Sequence, residues 1–433
     1  MTPGLRPTPV ALLLGALMGL SAMSTAAVAV ALPDIADHFD IPPDRSVWVI
    51  SAYAIALAVG AALYGRAGDK AGIRTPLTIG VCLMSAGSIL AALAPTYETL
   101  IAARLLQGSG AGAAPVLALA ALRVKYHGSI RSTALGYLAG MAVAVTSSGP
   151  LLGGLLTAMF SWRAAVFSPS IGFLVLLTLW HSLPVGGSGA RLDYTGAVLV
   201  ACAAAGLVLL VQSPSIGYVG ALFGLGLLVL AVPALVAWVR RRPDGFLPRA
   251  VIVESAVIRS ALGAAAMPAS WFGLLIAIPA VLAGEGWSPI AIGFALLPGA
   301  LGGVIGSRSV GATLDRLGPT RSIVLSGATC VVAVLTAALG ATGLPVLLMV
   351  AMAMVYGAFT LGQPAMSAAV AAAVPAHMNG VALGIATLIF FLGGGLGAAV
   401  AGLSSSVGQP WSLALLATLP LFGTLAVHRR AVS

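Results

Sequence analysis

The side chain in the most unusual setting of this sequence is Arg104. It is the only charged residue deep inside an apolar run of spanning length, at 98–121. A charge in such a segment is costly and normally faces the protein interior. We therefore expect a cavity residue that binds a ligand or modulates proton transfer. The alternative is a structural arginine bonded to backbone carbonyls. Gln107, three residues on and near the same helical face, would share its role.

Other residue types that carry out chemistry are poorly placed for it. All eleven acidic residues lie in, or at the edge of, the breaks between apolar runs, and none of the five histidines is inside a run. Cys82, Cys202 and Cys330 lie far apart, with no CxxC pattern and no nearby histidine. We see no catalytic nucleophile, carboxylate pair or metal cluster. The sequence therefore predicts a non-enzymatic protein without a metal or cofactor.

The composition indicates that lipid is the solvent of this chain. Of its 433 residues, 60% are hydrophobic and 7% are charged, with a mean hydropathy of +1.07. Soluble domains are typically about 45–50% apolar and about 25% charged. The net charge of +10 is spread over short breaks between the apolar runs. Because no basic face results, we do not expect nucleic-acid binding.

Fourteen apolar runs are long enough to cross a bilayer, which takes about 20 helical residues. They are continuously apolar rather than alternating, so they predict helices and not a barrel. We expect the first to be a membrane helix rather than a cleaved signal peptide. The runs are 10–32, 47–64, 76–94, 98–121, 133–157, 163–182, 194–212, 216–239, 258–283, 289–307, 322–341, 343–365, 379–403 and 409–427.

Basic residues predict the orientation of these spans. With a cytoplasmic N-terminus, eighteen lysines and arginines fall on the inner side, and only Arg45 and Arg163 fall on the outer side. This asymmetry follows the positive-inside rule. An even number of spans then places both termini in the cytoplasm. The breaks are too short to hold a soluble domain.

A motif in the second break returns later in the chain. The stretch 65–74, GRAGDKAGIR, contains GxxxDxxG, and the same pattern recurs at 311–318, 246 residues on. A glycine-rich stretch at 149–154 has a counterpart at 393–397. Because the first pair is displaced by eight spans, we predict two six-helix bundles, 1–183 and 258–433, with an inserted two-helix hairpin at 184–257. Paired halves around a central cavity are typical of alternating-access transporters.

Three motifs in order along the chain resemble those of the major facilitator superfamily. GRAGDKAGIR (65–74) resembles its loop signature GxxxDxxGxR, and RLLQGSGAGAA (104–114) resembles the fourth-helix motif RxxQGxGAA of its drug exporters. GMAVAVTSSGPLLGG (140–154) resembles the fifth-helix antiporter motif GxxxxxxxxGPxxGG. Fourteen spans and the stretch ALPDIADHFDIPPDRSVWV (31–49) are most similar to the tetracycline-exporter branch of the drug:proton antiporters. The resemblance implies an all-α integral membrane fold.

At four positions where these relatives carry intramembrane carboxylates, this sequence has none. Ser24 stands at the first-helix Asp of the broad family, while Thr25, Thr146 and Gly394 stand at the acids of tetracycline-type members. A cationic compound would lack a partner for its charge in a low-dielectric cavity. We therefore expect the transported compound to be small, largely apolar, and neutral or weakly anionic.

The candidate residues fall into three sets. The cavity set is Ser24, Thr25, Arg104, Gln107, Thr146, Trp271 and Gln363. The alternative for its hydroxyls is a bond to their own helix or to a neighbouring helix, and the alternative for its tryptophan is plain packing. By resemblance, a conformational latch that closes the cytoplasmic side comprises Gly65, Asp69, Gly72, Arg74, Asp315 and Arg321. Close helix packing is expected at Gly140, Gly149, Pro150, Gly153, Gly154, Gly393 and Gly397.

The resemblance implies a monomeric exporter of an antibiotic or secondary metabolite in a bacterial cytoplasmic membrane, with a proton as the coupling ion. The missing carboxylates leave open a proton-independent facilitator or importer of a small metabolite. A membrane-embedded enzyme or scaffold is a third alternative, for which no catalytic group is visible. Asp34 and Asp37, just after the first run, are either solvated loop charges or a displaced proton acceptor.

Overall fold

The computed structural model describes residues 7–186, 193–211, 213–243, 245–375, 378–404 and 408–428, and these contain no strand. Thirteen helical segments are long and apolar enough to cross a membrane, and Thr195–Val211 is a shorter apolar helix. We number them as spans 1 to 14 in chain order: Thr8–Phe39, Trp48–Gly68, Arg74–Ala92, Tyr97–Lys125, Thr133–Met159, Trp162–Ser182, Thr195–Val211, Tyr218–Arg241, Ser255–Gly284, Pro289–Gly306, Arg308–Gly340, Pro345–Ala373, Val381–Ala401 and Gln409–Val427.

Several helices differ from the apolar runs that predict them. Span 4 consists of two helices, Tyr97–Ala111 and Ala113–Lys125, while spans 10 and 11 share one long helix, Pro298–Gly340. Span 2 continues to the end of the helix Trp48–Ala71. The short helices Pro43–Ser46 and Arg249–Val253 lie in breaks between spans.

The first helix extends beyond its apolar run and ends at Phe39. Hydropathy marks the part of a helix that lies in lipid, whereas the helix itself ends where the backbone leaves the helical region. Here Asp40 has a φ of 49°, and the next amide bonds back to a carbonyl of the last turn at 3.0 Å, as in a left-handed helix cap. Asp34 and Asp37 therefore lie on the last turns of this helix rather than in a loop.

Two glycines of the internal repeat adopt the same unusual backbone conformation. Gly72 has φ 75° and ψ −178°, and Gly318 has φ 76° and ψ 167°. Residues with a side chain rarely adopt such angles. Gly72 turns the chain from span 2 into span 3, and Gly318 kinks the long helix Pro298–Gly340 within span 11. The repeated motif thus corresponds to a repeated turn.

The glycine-rich spans 5 and 13 pack in equivalent ways on spans 1 and 9. A Cβ atom added to Gly149 or Gly153 would come within 2.8 Å of span 1, and one added to Gly393 or Gly397 would come within 2.8 Å of span 9. These helices therefore approach closely only because no side chain intervenes. Gly140, also expected to serve helix packing, has nothing within 4 Å of its Cβ position.

The two six-span halves meet along their outer parts, taking the outer side from the charge-based orientation. A Cβ on Gly293 of span 10 would lie 2.8 Å from the Pro150 carbonyl oxygen of span 5, and one on Gly402 would lie 3.2 Å from Val47, just before span 2. On the inner parts of spans 5 and 13, Gly136 and Gly384 have nothing within 4 Å. We infer an inward-facing arrangement, sealed outside and parted toward the cytoplasm.

Spans 7 and 8 form a hairpin that lies over the seam between the halves. The two helices cross where a Cβ on Gly206 would lie 2.8 Å from the Gly224 carbonyl oxygen. Val208 of span 7 is fully buried. A Cβ on Gly395 of span 13 would lie 3.6 Å from Cγ2 of Val208 and 3.7 Å from Ile55 of span 2. Span 8, in contrast, packs little against the rest of the protein, because only 11% of its most apolar stretch is buried.

A pair of substitutions on span 13 tests the close helix contacts. Gly393→Ala should lower the melting temperature in detergent, because the added Cβ would lie 2.8 Å from the Ala265 Cβ and overpacking costs about 1–3 kcal/mol. Gly384→Ala on the same helix meets open space and should be close to neutral. Equal melting temperatures for the two variants would contradict this packing.

Candidate functional site

Arg104 lies in a fully buried polar cluster of the first half. Its Nε donates to the Val49 carbonyl oxygen at 2.8 Å, and its Nη1 donates to Ser24 Oγ at 2.9 Å and to Gln107 Oε1 at 2.5 Å. The guanidinium carbon lies 4.2 Å from the ring centroid of Tyr53, within cation–π range. One side chain of span 4 is thereby bonded to spans 1 and 2.

Gln107 extends this cluster to span 3. Its Nε2 donates to Ser88 Oγ at 2.7 Å and to Ser24 Oγ at 3.3 Å. The Tyr53 hydroxyl donates in turn to the Ser21 carbonyl oxygen at 2.5 Å. The cluster therefore connects spans 1, 2, 3 and 4 through polar contacts, which have no substitute in lipid.

The cluster contains a cation without a counter-charge. Within the described part of the chain, no acidic side chain forms a hydrogen bond or ion pair with Arg104. Its Nη2 has no hydrogen-bond partner, and neither has Thr25 Oγ1, which is also buried. Leaving a buried polar group unsatisfied costs about 1–3 kcal/mol, and more for a charged one. Such a site can accept a neutral or anionic oxygen and disfavours a cation.

At the positions where tetracycline-type exporters are expected to carry acids, this chain has uncharged residues. Thr25 is fully buried, and Thr146 is half-buried with its hydroxyl 3.5 Å from a backbone oxygen of span 1. Gly394 is covered by the ring of Phe272, whose Cδ2 would lie 2.9 Å from a Cβ at that position. An aspartate at Gly394 would therefore overlap the ring. The space for the third carboxylate is filled by an aromatic residue.

Trp271 belongs to an aromatic cluster in the second half. It is 3% exposed, and its ring centroid lies 5.0 Å from Phe272, 5.7 Å from Tyr356 and 5.2 Å from Phe359. Phe359 lies 5.4 Å from Phe390. The pairs of Trp271 with Phe272 and Tyr356 have the edge-to-face geometry that aromatic rings prefer, and the two pairs of Phe359 are tilted. The Trp271 indole nitrogen and the Tyr356 hydroxyl make no regular hydrogen bond, although the two groups lie near each other.

Sequence reasoning did not find the rest of this aromatic cluster. Tyr356 and Phe359 lie on span 12 and Phe390 lies on span 13, so no spacing along one helix relates them to Trp271. Gln363, the remaining cavity candidate, is half-buried on span 12 and belongs to neither cluster. Structure thus separates the cavity set into a polar group in one half and an aromatic group in the other.

The expected latch residues lie at the two equivalent turns, Gly65 to Arg74 in the first half and Asp315 and Arg321 in the second. Arg74 donates to the Leu183 carbonyl oxygen at 3.1 Å, and its guanidinium carbon lies 5.7 Å from the Trp180 ring, so these contacts stay within its own half. Asp315 and Arg321 are exposed. Gly65 is unremarkable, since a Cβ there would make ordinary contact at 3.5 Å. The side chain of Asp69 lies outside the described residues.

The chain matches the family model of the Major Facilitator Superfamily over residues 14–398. It belongs to this superfamily. It is 30% identical over 399 residues to multidrug resistance protein Stp of Mycobacterium tuberculosis, covering 90% of this chain and 73% of that protein. The tetracenomycin C resistance and export protein of Streptomyces glaucescens is 28% identical over 333 residues, or 74% and 62% of the two chains. The puromycin resistance protein pur8 of Streptomyces alboniger is 31% identical over 296 residues, or 66% and 58%.

Solved structures of this superfamily share the fold. A POT family transporter in complex with 5-aminolevulinic acid aligns with a TM-score of 0.72 at 12% identity, covering 97% of this chain and 95% of that one. The partially occluded inward-open xylose transporter XylE of Escherichia coli aligns with a TM-score of 0.65 at 15% identity, covering 96% and 95%. The chain is thus a non-enzymatic, multi-pass membrane transporter whose relatives are drug-resistance exporters.

Two serine substitutions test the polar cluster around Arg104. Ser24→Ala removes the acceptor shared by Arg104 and Gln107, which should lower the free energy of unfolding by about 1–3 kcal/mol. Ser109→Ala serves as the control, because that hydroxyl bonds only to the Leu106 carbonyl oxygen of its own helix, at 2.7 Å. Thermal unfolding in detergent compares the two. A loss of similar size in both would contradict a special role of Ser24.

Proposed function

We propose that this transporter exports a small, largely apolar compound, neutral or weakly anionic, by alternating access, with proton antiport as the coupling. The observation that carries this proposal is Arg104, fully buried and with a guanidinium nitrogen that has no hydrogen-bond partner. Relatives named for multidrug, tetracenomycin C and puromycin resistance support export of an antibiotic or secondary metabolite.

Charge discrimination follows from the electrostatics of the buried guanidinium. A monocation about 6 Å from Arg104 would be repelled by about 3 kcal/mol at an effective dielectric constant of 20, and a dication by about twice as much. A repulsion of about 3 kcal/mol corresponds to a discrimination of about a hundredfold. An anionic or carbonyl oxygen would instead satisfy Nη2, at the cost of its own desolvation. The site therefore favours uncharged and acidic compounds over amines.

The aromatic cluster supplies the apolar part of recognition. Trp271 and Val49, whose carbonyl bonds Arg104, belong to one continuous buried cluster that joins the two halves. A cargo molecule between the halves would thus meet a polar group on one side and rings on the other. Half-buried Phe359 and the indole nitrogen of Trp271 offer stacking and a hydrogen-bond donor. Flat apolar compounds with acceptor oxygens suit this combination.

Alternating access requires the halves to exchange closed contacts on one side for closed contacts on the other. The inward-facing arrangement gives cargo access from the cytoplasm, as loading of an exporter demands. Glycine-lined contacts of spans 5 and 13 let neighbouring helices shift. In the proposed cycle, the loops 65–74 and 311–321 then latch the cytoplasmic side, with Asp69 as the central acid of the first loop.

A proton-independent facilitator or importer is the second candidate. It is favoured by one observation: in the described part of the chain, no carboxylate lies in the middle of a span. An intramembrane carboxylate is the usual proton carrier. Asp34, half-buried on the last turns of span 1, is the acid best placed to replace it near the outer mouth.

The charge class of the cargo can be tested in an efflux-deficient bacterial host. We expect the wild type to raise resistance to neutral and acidic members of an aromatic compound series and not to their dicationic analogues. Arg104→Gln should reduce this discrimination, which the Coulomb repulsion sets at about a hundredfold. Arg163→Gln is the control, since Arg163 bonds the Ala94 carbonyl oxygen at the outer surface, at 3.0 Å. Strong resistance to dications in the wild type, at matched membrane levels, would reject the charge class.

Proton coupling can be tested in everted membrane vesicles that express the transporter. Collapsing both the pH gradient and the membrane potential with a protonophore should abolish accumulation of an uncharged cargo if a proton is exchanged, because that exchange moves one net charge. Asp34→Asn should do the same if Asp34 carries that proton, and Glu98→Gln, at the start of span 4, is the control. Uptake that only equilibrates the cargo, and that the protonophore leaves unchanged, would reject antiport and favour the facilitator.

A further inference from the structure

One carboxylate, Asp193, holds both ends of the inserted hairpin. It precedes span 7, and its Oδ1 accepts a hydrogen bond from the Gly196 amide at 3.0 Å, as a helix N-cap does. Trp238, near the end of span 8, donates its indole N–H to the same carboxylate at 3.0 Å. The amide of Phe246, beyond span 8, donates to Oδ2 at 2.7 Å. Entry to and exit from the hairpin are therefore joined at one side chain.

The backbone around Asp193 leaves room for this arrangement. A Cβ on Gly196 would lie 2.5 Å from Asp193 Oδ2, and one on Gly245 would lie 2.6 Å from the same oxygen. Burial alone would raise the pKa of Asp193, but the hydrogen bonds donated to it and the nearby charge of Arg242 lower it below its ordinary value. The carboxylate is therefore ionised at physiological pH, and its hydrogen bonds are charge-assisted.

Phe246 connects this arrangement to the first half of the transporter. Arg66 Nη2 donates to the Phe246 carbonyl oxygen at 2.9 Å, and its guanidinium carbon lies 5.9 Å from the Phe246 ring. Arg66 lies near the cytoplasmic end of span 2, within the repeated motif 65–74. Phe246 is 4% exposed, and nine residues after it, at Ser255, span 9 begins. The cytoplasmic end of span 2 is thus bonded to the connector that leads into the other half.

Span 7 fixes the hairpin against both halves at the same time. Val200, Ala204 and Val208 are all at most 5% exposed, and they share a buried apolar cluster with residues of spans 2 and 13. The hairpin is therefore not free to follow a movement of either half alone. A relative rotation of the halves must change its contacts either along span 7 or at its base.

We propose that the hairpin clasp, consisting of Asp193, Trp238 and Phe246, holds Arg66 in the inward-facing state and thereby favours that state over the outward-facing one. When the cytoplasmic ends of the halves approach, the cytoplasmic end of span 2 moves relative to the connector and the bond from Arg66 to Phe246 opens. A contact made in only one of two states shifts the equilibrium toward that state. The inserted hairpin then acts as a conformational regulator, whatever the cargo.

The populations can be measured by electron–electron double resonance in the full-length transporter in lipid nanodiscs, without cargo or proton gradient. The background replaces the three native cysteines by alanine. The labelled pairs use exposed residues near the inner ends of spans 5 and 11 and at the outer ends of spans 5 and 9: Thr133→Cys with Ala312→Cys, and Phe160→Cys with Glu285→Cys.

Asp193→Asn should lower the ratio of inward-open to outward-open molecules by about tenfold, as expected when a hydrogen bond to a charged group is lost from one state. Trp238→Phe removes one donor and keeps a ring, so it should shift the ratio in the same direction by less. Glu254→Gln is the matched control. Glu254 also caps a helix, through the Ala256 amide at 3.2 Å, and lies on the same connector but outside the clasp.

Unchanged distance distributions in both Asp193→Asn and Trp238→Phe would overturn the proposal. An equal shift in Glu254→Gln would also overturn it, because any weakening of the connector would then suffice. If Asp193→Asn fails to fold, Trp238→Phe alone decides. Since no cargo is present, these outcomes are independent of whether export and its charge class are confirmed.

Discussion

Lipid provides no hydrogen bonds, so every polar group within the spans must find its partner in the protein. Arg104 imposes the strongest form of this constraint, because it is a fully buried charge. Its bonds to Val49, Ser24 and Gln107 join three spans, and Gln107 reaches Ser88 on a fourth. The relative positions of spans 1 to 4 depend on this one side chain. The nitrogen left over can be satisfied only by something that enters from outside the cluster.

The fold could largely be predicted from the sequence, because each span must by itself be apolar over a bilayer's thickness. The internal repeat added the hairpin and the equivalent turns, which Gly72 and Gly318 now share as backbone angles. Helix ends were less predictable. The end of span 1 depends on a left-handed Asp40, eight residues beyond the last apolar residue of the run, a local conformation that hydropathy does not record.

The site was only partly predictable, because its contacts join remote spans. Arg104 and Gln107 could be paired from their spacing on one helix, but nothing local relates them to Tyr53 or Ser88. Trp271 could be singled out, but not the partners that spans 12 and 13 bring to it. From the sequence, Asp193 is one of eleven acids in or beside the breaks between apolar runs, and only the folded chain shows it bonded to both ends of the hairpin.

The ring of Phe272 over Gly394 has an evolutionary consequence. An acid at Gly394 would need the space that the ring occupies, with Cδ2 2.9 Å from the Cβ position. A new aspartate would therefore clash first, and a smaller residue at Phe272 would first leave a cavity, which typically costs about 3–5 kcal/mol for a buried aromatic ring. Either order passes through a less stable intermediate. Selection for stability alone therefore tends to keep this position of span 13 free of a carboxylate.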